Sequence, residues 1–220
     1  MAKDQKVPKP VISRLTRYFT WSQEQLQDGK EWTSSQELAE QLSINGATIR
    51  RDLTHLDIQG VTNKGYNTRQ LCAVLDAFLG ANRNWKVVVV GAGNLGKALT
   101  LHGDLARQGF RICAILDTDG RKVGATIGHL TVRHLDELPG IVEQHDVSIG
   151  VVAVPSEAAQ SVADMMVVSG IRGIFNLSLK HLIVPEWVQI SDGRLVAGML
   201  ELAYAVKEHL PDTRRDTIRL

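Results

Sequence analysis

The chain has 220 residues, a formal net charge of +1, 44% hydrophobic and 22% charged residues, enough length for two domains and enough apolar surface to bury a core in each. Near neutrality argues against a protein held to nucleic acid by broad electrostatic attraction alone. Cys72 and Cys113 show no metal-binding spacing, so they read as small core residues in a reducing compartment, without a structural zinc. There is no N-terminal apolar leader pattern, and no run reaches the ~20 residues of a membrane span, so a cytoplasmic protein is expected.

Charge is uneven at the start. Lys3, Lys6, Lys9, Arg14 and Arg17 stand against Asp4 alone, which suits either an arm lying along phosphates or a solvated terminus. Val11, Leu15, Tyr18, Ser22 and Leu26 recur at helical spacing and predict an amphipathic helix ending near Asp28-Gly29. Thr33-Ser34-Ser35 offers N-caps, and Glu37 follows Ser34 at capping-box spacing. The short helix through Leu38 and Leu42 is followed by the turn Ser43-Ile44-Asn45 and a second helix striped by Ile49, Leu53 and Leu56. Two short helices joined this tightly predict a helix-turn-helix. Gly60 to Tyr66 suits a small β-hairpin, so the order helix, helix, helix, wing predicts a winged helix. A connecting helix over 68–82 and a linker at Asn82-Arg83-Asn84 complete this part.

The second helix of such a motif reads DNA. Its early solvent-facing residues are Asn45, Thr48 and Arg51, with Arg50 and Thr54 beside them. Arg51 has the fork that binds guanine at two points, and Arg50 suits a phosphate. Arg14 is expected to support backbone contact. In the wing, Lys64 and Tyr66 are placed for backbone or minor groove, although Tyr66 equally suits packing inward.

From Trp85 the pattern changes. Val87-Val88-Val89-Val90 reads as a buried strand, with strand-like runs again at 110–116, 147–154, 172–175 and 187–190. Helical stretches at 94–108, 135–145 and 156–169 separate most of them, which predicts an α/β, doubly wound parallel sheet with helices on both faces. A last helix over 198–210 carries Met199, Leu202, Ala203, Val206 and Leu210 on one side.

Gly91-Ala92-Gly93-Asn94-Leu95-Gly96 is a complete G-x-G-x-x-G directly after the four-valine strand. Gly91 permits the tight turn, Gly93 lets backbone approach a pyrophosphate, and Gly96 lets helix pack on strand. Asp117, 21 residues beyond Gly96 at the end of the second strand, suits the adenosine ribose hydroxyls and disfavours a 2′-phosphate. NAD(H) is therefore the expected ligand. An oxidoreductase would need a substrate domain and an acid–base pair. Little chain is left for the first, and His102, His129, His134, His145, His181 and His209 are scattered. His102 suits either a nicotinamide contact or helix packing.

The chain resembles the Rex family of redox-sensing repressors over nearly its whole length. The carrying stretches are Ser34-Ser35-Gln36-Glu37-Leu38-Ala39, Ile49-Arg50-Arg51-Asp52-Leu53, Val90 through Gly96, Asp117-Thr118-Asp119 running on to Lys122-Val123-Gly124, Val154 through Gln160, and Gly170 through Ile174. The resemblance implies three regions: a winged-helix domain at 1–83, a Rossmann NAD(H)-binding domain at 84–196, and a dimerisation helix and tail at 197–220. It implies that Gly91, Ala92, Gly93, Asn94, Leu95, Gly96, Asp117, Lys122 and Val154 hold the cofactor, with Pro155 at the nicotinamide end. It also implies a homodimer with exchanged C-terminal helices that leaves palindromic operator DNA when NADH binds. The chain departs from the family pattern in four places. Val61-Thr62 stand where the wing is usually basic, and Thr20 and Arg194 replace an Arg–Asp latch. His102 replaces a tyrosine, and Asn176-Leu177-Ser178-Leu179 replaces Asn-Phe-Ala-Pro. Two other readings stay open: a paralogue that binds DNA and dinucleotide without coupling them, and a small NAD-dependent oxidoreductase.

Overall fold

The computed structural model describes residues 7–56, 58–193 and 195–209; the sequence expectations on Lys3, Asp4, Lys6, Arg194 and Leu210 lie outside them. The chain divides into two compact units, Met1–Asn84 and Trp85–Leu220.

In the first unit, α1 (Lys9–Gln27) carries its proline in the first turn, where a missing N–H costs nothing, and buries Val11, Leu15, Tyr18, Phe19, Trp21 and Ser22. After the short strand β1 (Trp32–Thr33), α2 (Ser35–Leu42) starts with the expected capping box. Ser34 Oγ accepts the Glu37 N–H at 3.1 Å, and the Glu37 carboxylate accepts the Ser34 N–H at 2.8 Å. Ser43 ends α2 in the left-handed region, and Asn45 caps α3 (Gly46–Leu53) by accepting the Ala47 N–H at 2.8 Å. Leu38, Ile49 and Leu53 face the core with α1 and the buried Leu71 and Leu75 of α4 (Thr68–Leu79).

The wing differs from its sequence expectation. Residues 60–66 do not close into a hairpin of two strands. A single antiparallel bridge joins Val61 and Gly65, and β2 (Tyr66–Asn67) pairs instead with β1, Thr33 opposite Tyr66. Gly65 explains the choice: it lies at φ +88°, and a Cβ there would stand 2.3 Å from the Thr33 carbonyl oxygen. The chain is thus pressed onto β1, which takes the hydrogen bonds a second wing strand would have used. The expected linker is partly a 3₁₀ turn, Ala81–Arg83.

In the second unit, β3 (Trp85–Val90) lies at the centre of a seven-stranded sheet. On one side are β4 (Phe110–Asp117), β6 (Leu130–His134) and β5 (Thr126–Ile127). On the other are β7 (Ile149–Val152), β8 (Gly173–Asn176) and β9 (Gln189–Asp192). Every pairing is parallel except β5 with β6. The chain leaves β3 outward to β4 and β6, then returns to β7, so the strand order reverses beside the carboxyl end of β3. Open α/β sheets bind ligands at such a point. β5 and β6 were missed by the sequence reading, because their short, mixed run around Gly128 lacks a continuous apolar stretch.

Alternation along β3 divides the core. Val88 and Val90 face α7 (Leu138–His145) and α8 (Ser156–Val168), while Val87 and Val89 face the other side. The stretch expected as one helix over 94–108 is two, α5 (Asn94–Thr100) and α6 (Gly103–Arg107), broken at Leu101-His102. These short helices leave part of their face uncovered. An apolar groove of about 420 Å³ lies there, lined by Val87, Leu105, Phe110, Ile112, Ile149 and Phe175 among others. The last helix, α9 (Leu195–His209), buries none of its residues, and Leu195, Met199, Leu200, Leu202, Tyr204 and Val206 are all exposed.

Candidate functional site

The glycine loop between β3 and α5 has the geometry its sequence demands. Gly91 sits at φ +109°, and a Cβ there would stand 2.3 Å from the Ala153 carbonyl oxygen and 3.0 Å from Val154 Cγ1. A Cβ on Gly96 would stand 1.9 Å from the Gly91 carbonyl oxygen, so only glycine lets α5 lie this close to the end of β3. Gly93 is different: a Cβ built there meets nothing within 4 Å, so the loop is open on that side and backbone is presented to it. No side chain caps the start of α5, where Asn94 and Leu95 are exposed.

Asp117 ends β4 beside this loop with 8% of its surface exposed. One carboxylate oxygen accepts the Ala92 N–H at 2.8 Å and the Lys122 ammonium at 2.9 Å, and the other accepts the Asp119 N–H at 2.9 Å. Burial pushes the carboxyl up, but these donors outweigh it and hold Asp117 below its ordinary 3.8. It is therefore charged, and it ties the glycine loop to β4. Lys122 reaches it from the turn that follows β4. Val154 is half-buried, and the exposed Pro155 stands at the start of α8. Eight of the expected cofactor residues thus surround the carboxyl ends of β3 and β4, with Val154 and Pro155 just past β7. The open loop at Gly93 and the carboxylate at the end of β4 fit a dinucleotide, pyrophosphate on the first and ribose on the second. His102 lies in the α5–α6 break, exposed and 3.9 Å from Asp104. Among the described residues no group of three or more His, Cys, Asp or Glu is placed to hold a metal ion.

In the first unit, the structure separates the expected DNA-contacting residues. Asn45 and Arg51 are exposed, and Thr48 is half-buried on the same first turns of α3. Arg50 is exposed and donates to Ser35 Oγ at 3.0 Å, joining α3 to the start of α2. Together with Ser34, Gln36 and residues 60–66, this pair borders a polar groove. Lys64 lies in the wing with its ammonium 5.2 Å from the Trp32 ring centroid, close enough for cation–π attraction.

Two expectations are corrected. Arg14 is not a free phosphate-gripping side chain. Its Nε donates to Asp52 at 2.6 Å and its Nη2 at 2.7 Å, and Asp52 is only 2% exposed. A buried carboxylate needs a partner more than solvent-facing DNA needs one more cation. Tyr66 is buried too, packed with Ile58, Leu71 and their neighbours, so that it closes one side of that groove from the core and does not project from the wing. The apolar ring gains more from the core than the wing tip offers it. Asp52 itself, which also accepts from Tyr18 Oη at 2.8 Å, was missed as a site residue. The only signal was that Arg14 and Tyr18 lie four residues apart on one helix, which does not name a partner 38 residues away.

A helix-turn-helix unit and a Rossmann unit with an open glycine loop, on one chain, define a DNA-binding protein of the dinucleotide-sensing class. The chain matches two family models, "CoA binding domain" over residues 82–179 and "Putative DNA-binding protein N-terminus" over residues 6–54. It is 35% identical to the redox-sensing transcriptional repressor Rex of Caldicellulosiruptor saccharolyticus, covering 96% of both chains. It is 41% identical to Rex 1 of Thermotoga maritima over 79% of this chain and 84% of that one. Among solved structures it is similar to RSP, a Rex-family repressor. The match to RSP in complex with β-NAD⁺ and operator DNA has a TM-score of 0.87 at 29% identity, covering 94% of this chain and 95% of that one. The match to RSP with β-NADH has a TM-score of 0.85 at 29% identity, covering 94% and 97%. This chain belongs to the Rex family.

Proposed function

We propose that the chain is a homodimeric transcriptional repressor that binds palindromic operator DNA and leaves it when NADH replaces NAD⁺. Residues 1–83 form the DNA-binding region, 84–196 the NAD(H)-binding region, and 197–220 the dimerisation helix and tail. The observation that carries the reading is the glycine loop, shut to side chains at Gly91 and Gly96 yet open at Gly93, with the Asp117 carboxylate beside it. Gly91 to Gly96 cradle the pyrophosphate, Asp117 and Lys122 hold the ribose, and Val154 and Pro155 border the nicotinamide. Asn45, Thr48 and Arg51 read base edges, while Arg50 and Lys64 grip the backbone. The relatives are named as repressors, and the protein is read as a sensor without catalytic activity of its own. Among the described residues no helix is long and apolar enough to cross a membrane, in keeping with action in the cytoplasm.

The exposed apolar α9 and the uncovered apolar groove on the α5–α6 face favour a dimer in which α9 packs on the partner. Burying that helix removes several leucine-sized side chains from water, at about 1.5–3 kcal/mol each. A two-fold dimer presents paired α3 helices to a palindrome, which lets a protein of net charge +1 bind specifically. NADH shifts this equilibrium only by binding the DNA-incompetent arrangement more tightly than the competent one.

The test is fluorescence-anisotropy titration of palindromic DNA at fixed salt, with saturating NAD⁺ and then saturating NADH. Binding with NAD⁺ and its loss with NADH is the expected outcome; no binding in either condition refutes the repressor reading. Thr20 favours a second reading, a paralogue without redox coupling. Its hydroxyl is turned back onto its own helix, 3.2 Å from the Thr16 carbonyl oxygen, and is no guanidinium for a latch. Equal affinity in both conditions would support that reading.

A further inference from the structure

Asp52 stands between the two residues that matter most to α3, the DNA-facing Arg51 and the core-facing Leu53, and it is the one buried charge on that helix. Arg14 meets it with a two-point fork from α1, and Tyr18, one turn further along α1, adds a third hydrogen bond to the same carboxylate. His55 is the other basic side chain close enough to act on Asp52. We propose that the Arg14–Tyr18–Asp52 cluster is the positioning device of the recognition helix, setting its rotation on α1 and hence the specificity of DNA reading rather than the stability of the unit. This rests on the reading of α3 as the DNA-reading helix.

α3 has only eight residues, and its apolar attachment consists of Ile49 and Leu53 packed against leucines and aromatics. Such contacts are nearly non-directional, and apolar cores lose uniqueness of arrangement before they lose stability. A planar guanidinium on a carboxylate accepts one geometry. The consequence at the surface is large, because a side-chain group lies roughly 6 Å from the helix axis. Turning α3 by about 20° moves that group by about 2 Å, enough to break any hydrogen bond to a base edge. A buried ion pair adds little stability over apolar residues of the same size, whereas it does select between packings in some proteins.

The experiment replaces all three members by apolar residues of similar volume, R14M, Y18F and D52L together, so that no buried charge or hydroxyl is orphaned. The full chain and variant are titrated with a palindrome selected from random duplexes by the unaltered chain, and with a scrambled duplex, at one salt concentration. The expected result is a cooperative fold with dinucleotide affinity unchanged and scrambled-DNA affinity unchanged. The ratio of palindrome to scrambled affinity should fall by at least about tenfold, the size of a lost base contact. A ratio equal to that of the unaltered chain overturns the proposal. If the triple variant does not fold, Y18F alone decides: a fall in the ratio of about threefold, with little change in melting temperature, supports the proposal, and an unchanged ratio overturns it. Should the unaltered chain select no palindrome, the recognition reading fails first, and this inference with it.

Discussion

The dinucleotide cradle and the DNA-reading surface are built from different materials. In the cradle the work is done by backbone. Gly91, Gly93 and Gly96 matter for the atoms they lack, and the carboxylate beside them, Asp117, is held by backbone N–H groups on both its oxygens. On the reading surface the work is done by long side chains, and each has two possible employers. Arg50 donates to Ser35, Lys64 lies over Trp32, and Arg14 is forked onto Asp52. A backbone site is decided by a local pattern of residue types, while a side-chain site is decided by which groups the fold brings within reach. The first tolerates almost no substitution; the second is redistributed by any change in packing.

The sharpest way to test that contrast is Gly96→Val. With Gly91 oxygen already 1.9 Å from where a Cβ would stand, either α5 moves off the strand or the unit loses several kcal/mol, about the scale of severe overpacking. Dinucleotide binding measured by calorimetry should vanish. Retained affinity within about threefold would show that the cradle is not backbone-defined. Gly93→Ala, by contrast, has open space and should leave the fold intact while weakening binding.

A smaller effect separates the two arginines of α3. Arg51→Ala should cost about 1–3 kcal/mol of operator affinity and relax base preference at one position. Arg50→Ala should weaken all duplexes alike and reduce the salt slope by about one. Reversed behaviour would mean that Ser35 holds Arg50 over a base and that Arg51 lies on the backbone.

The smallest effect is acid sensitivity, which both units share. Asp52 and Asp117 are each held below the ordinary carboxylate value of 3.8, against burial, by the groups that donate to them. A depressed carboxyl contributes stability that is complete above the unfolded value and is lost as pH falls through the folded one. Melting temperature should therefore be level from neutrality to about pH 5 and decline below about pH 4. Asp117→Asn should flatten the decline for the C-terminal unit alone. A level profile down to about pH 2.5 would show that neither carboxylate is coupled to folding.

Local chemistry was legible in the sequence wherever a short stretch decides its own conformation. The Ser34–Glu37 capping box, the Ser43–Asn45 turn, the valine strand and the glycine loop all formed as their residues require. Each involves partners within a few positions, and hydrogen-bond geometry or sterics leaves one solution. The alternation of strands and helices determined the doubly wound class for the same reason, since periodicity names the buried face. Contacts across long separations had no such signature. Only the tertiary structure decided that Arg14 belongs to Asp52 and not to phosphate, that Tyr66 turns inward, and that β2 pairs with β1 across the base of the wing. The uncovered groove beside α5 and α6 belongs with these, since it arises because those helices are too short to cover their face of the sheet. In every such case several partners compete for one side chain or one strand edge, and the winner is set by burial and desolvation, which exist only once the chain is folded.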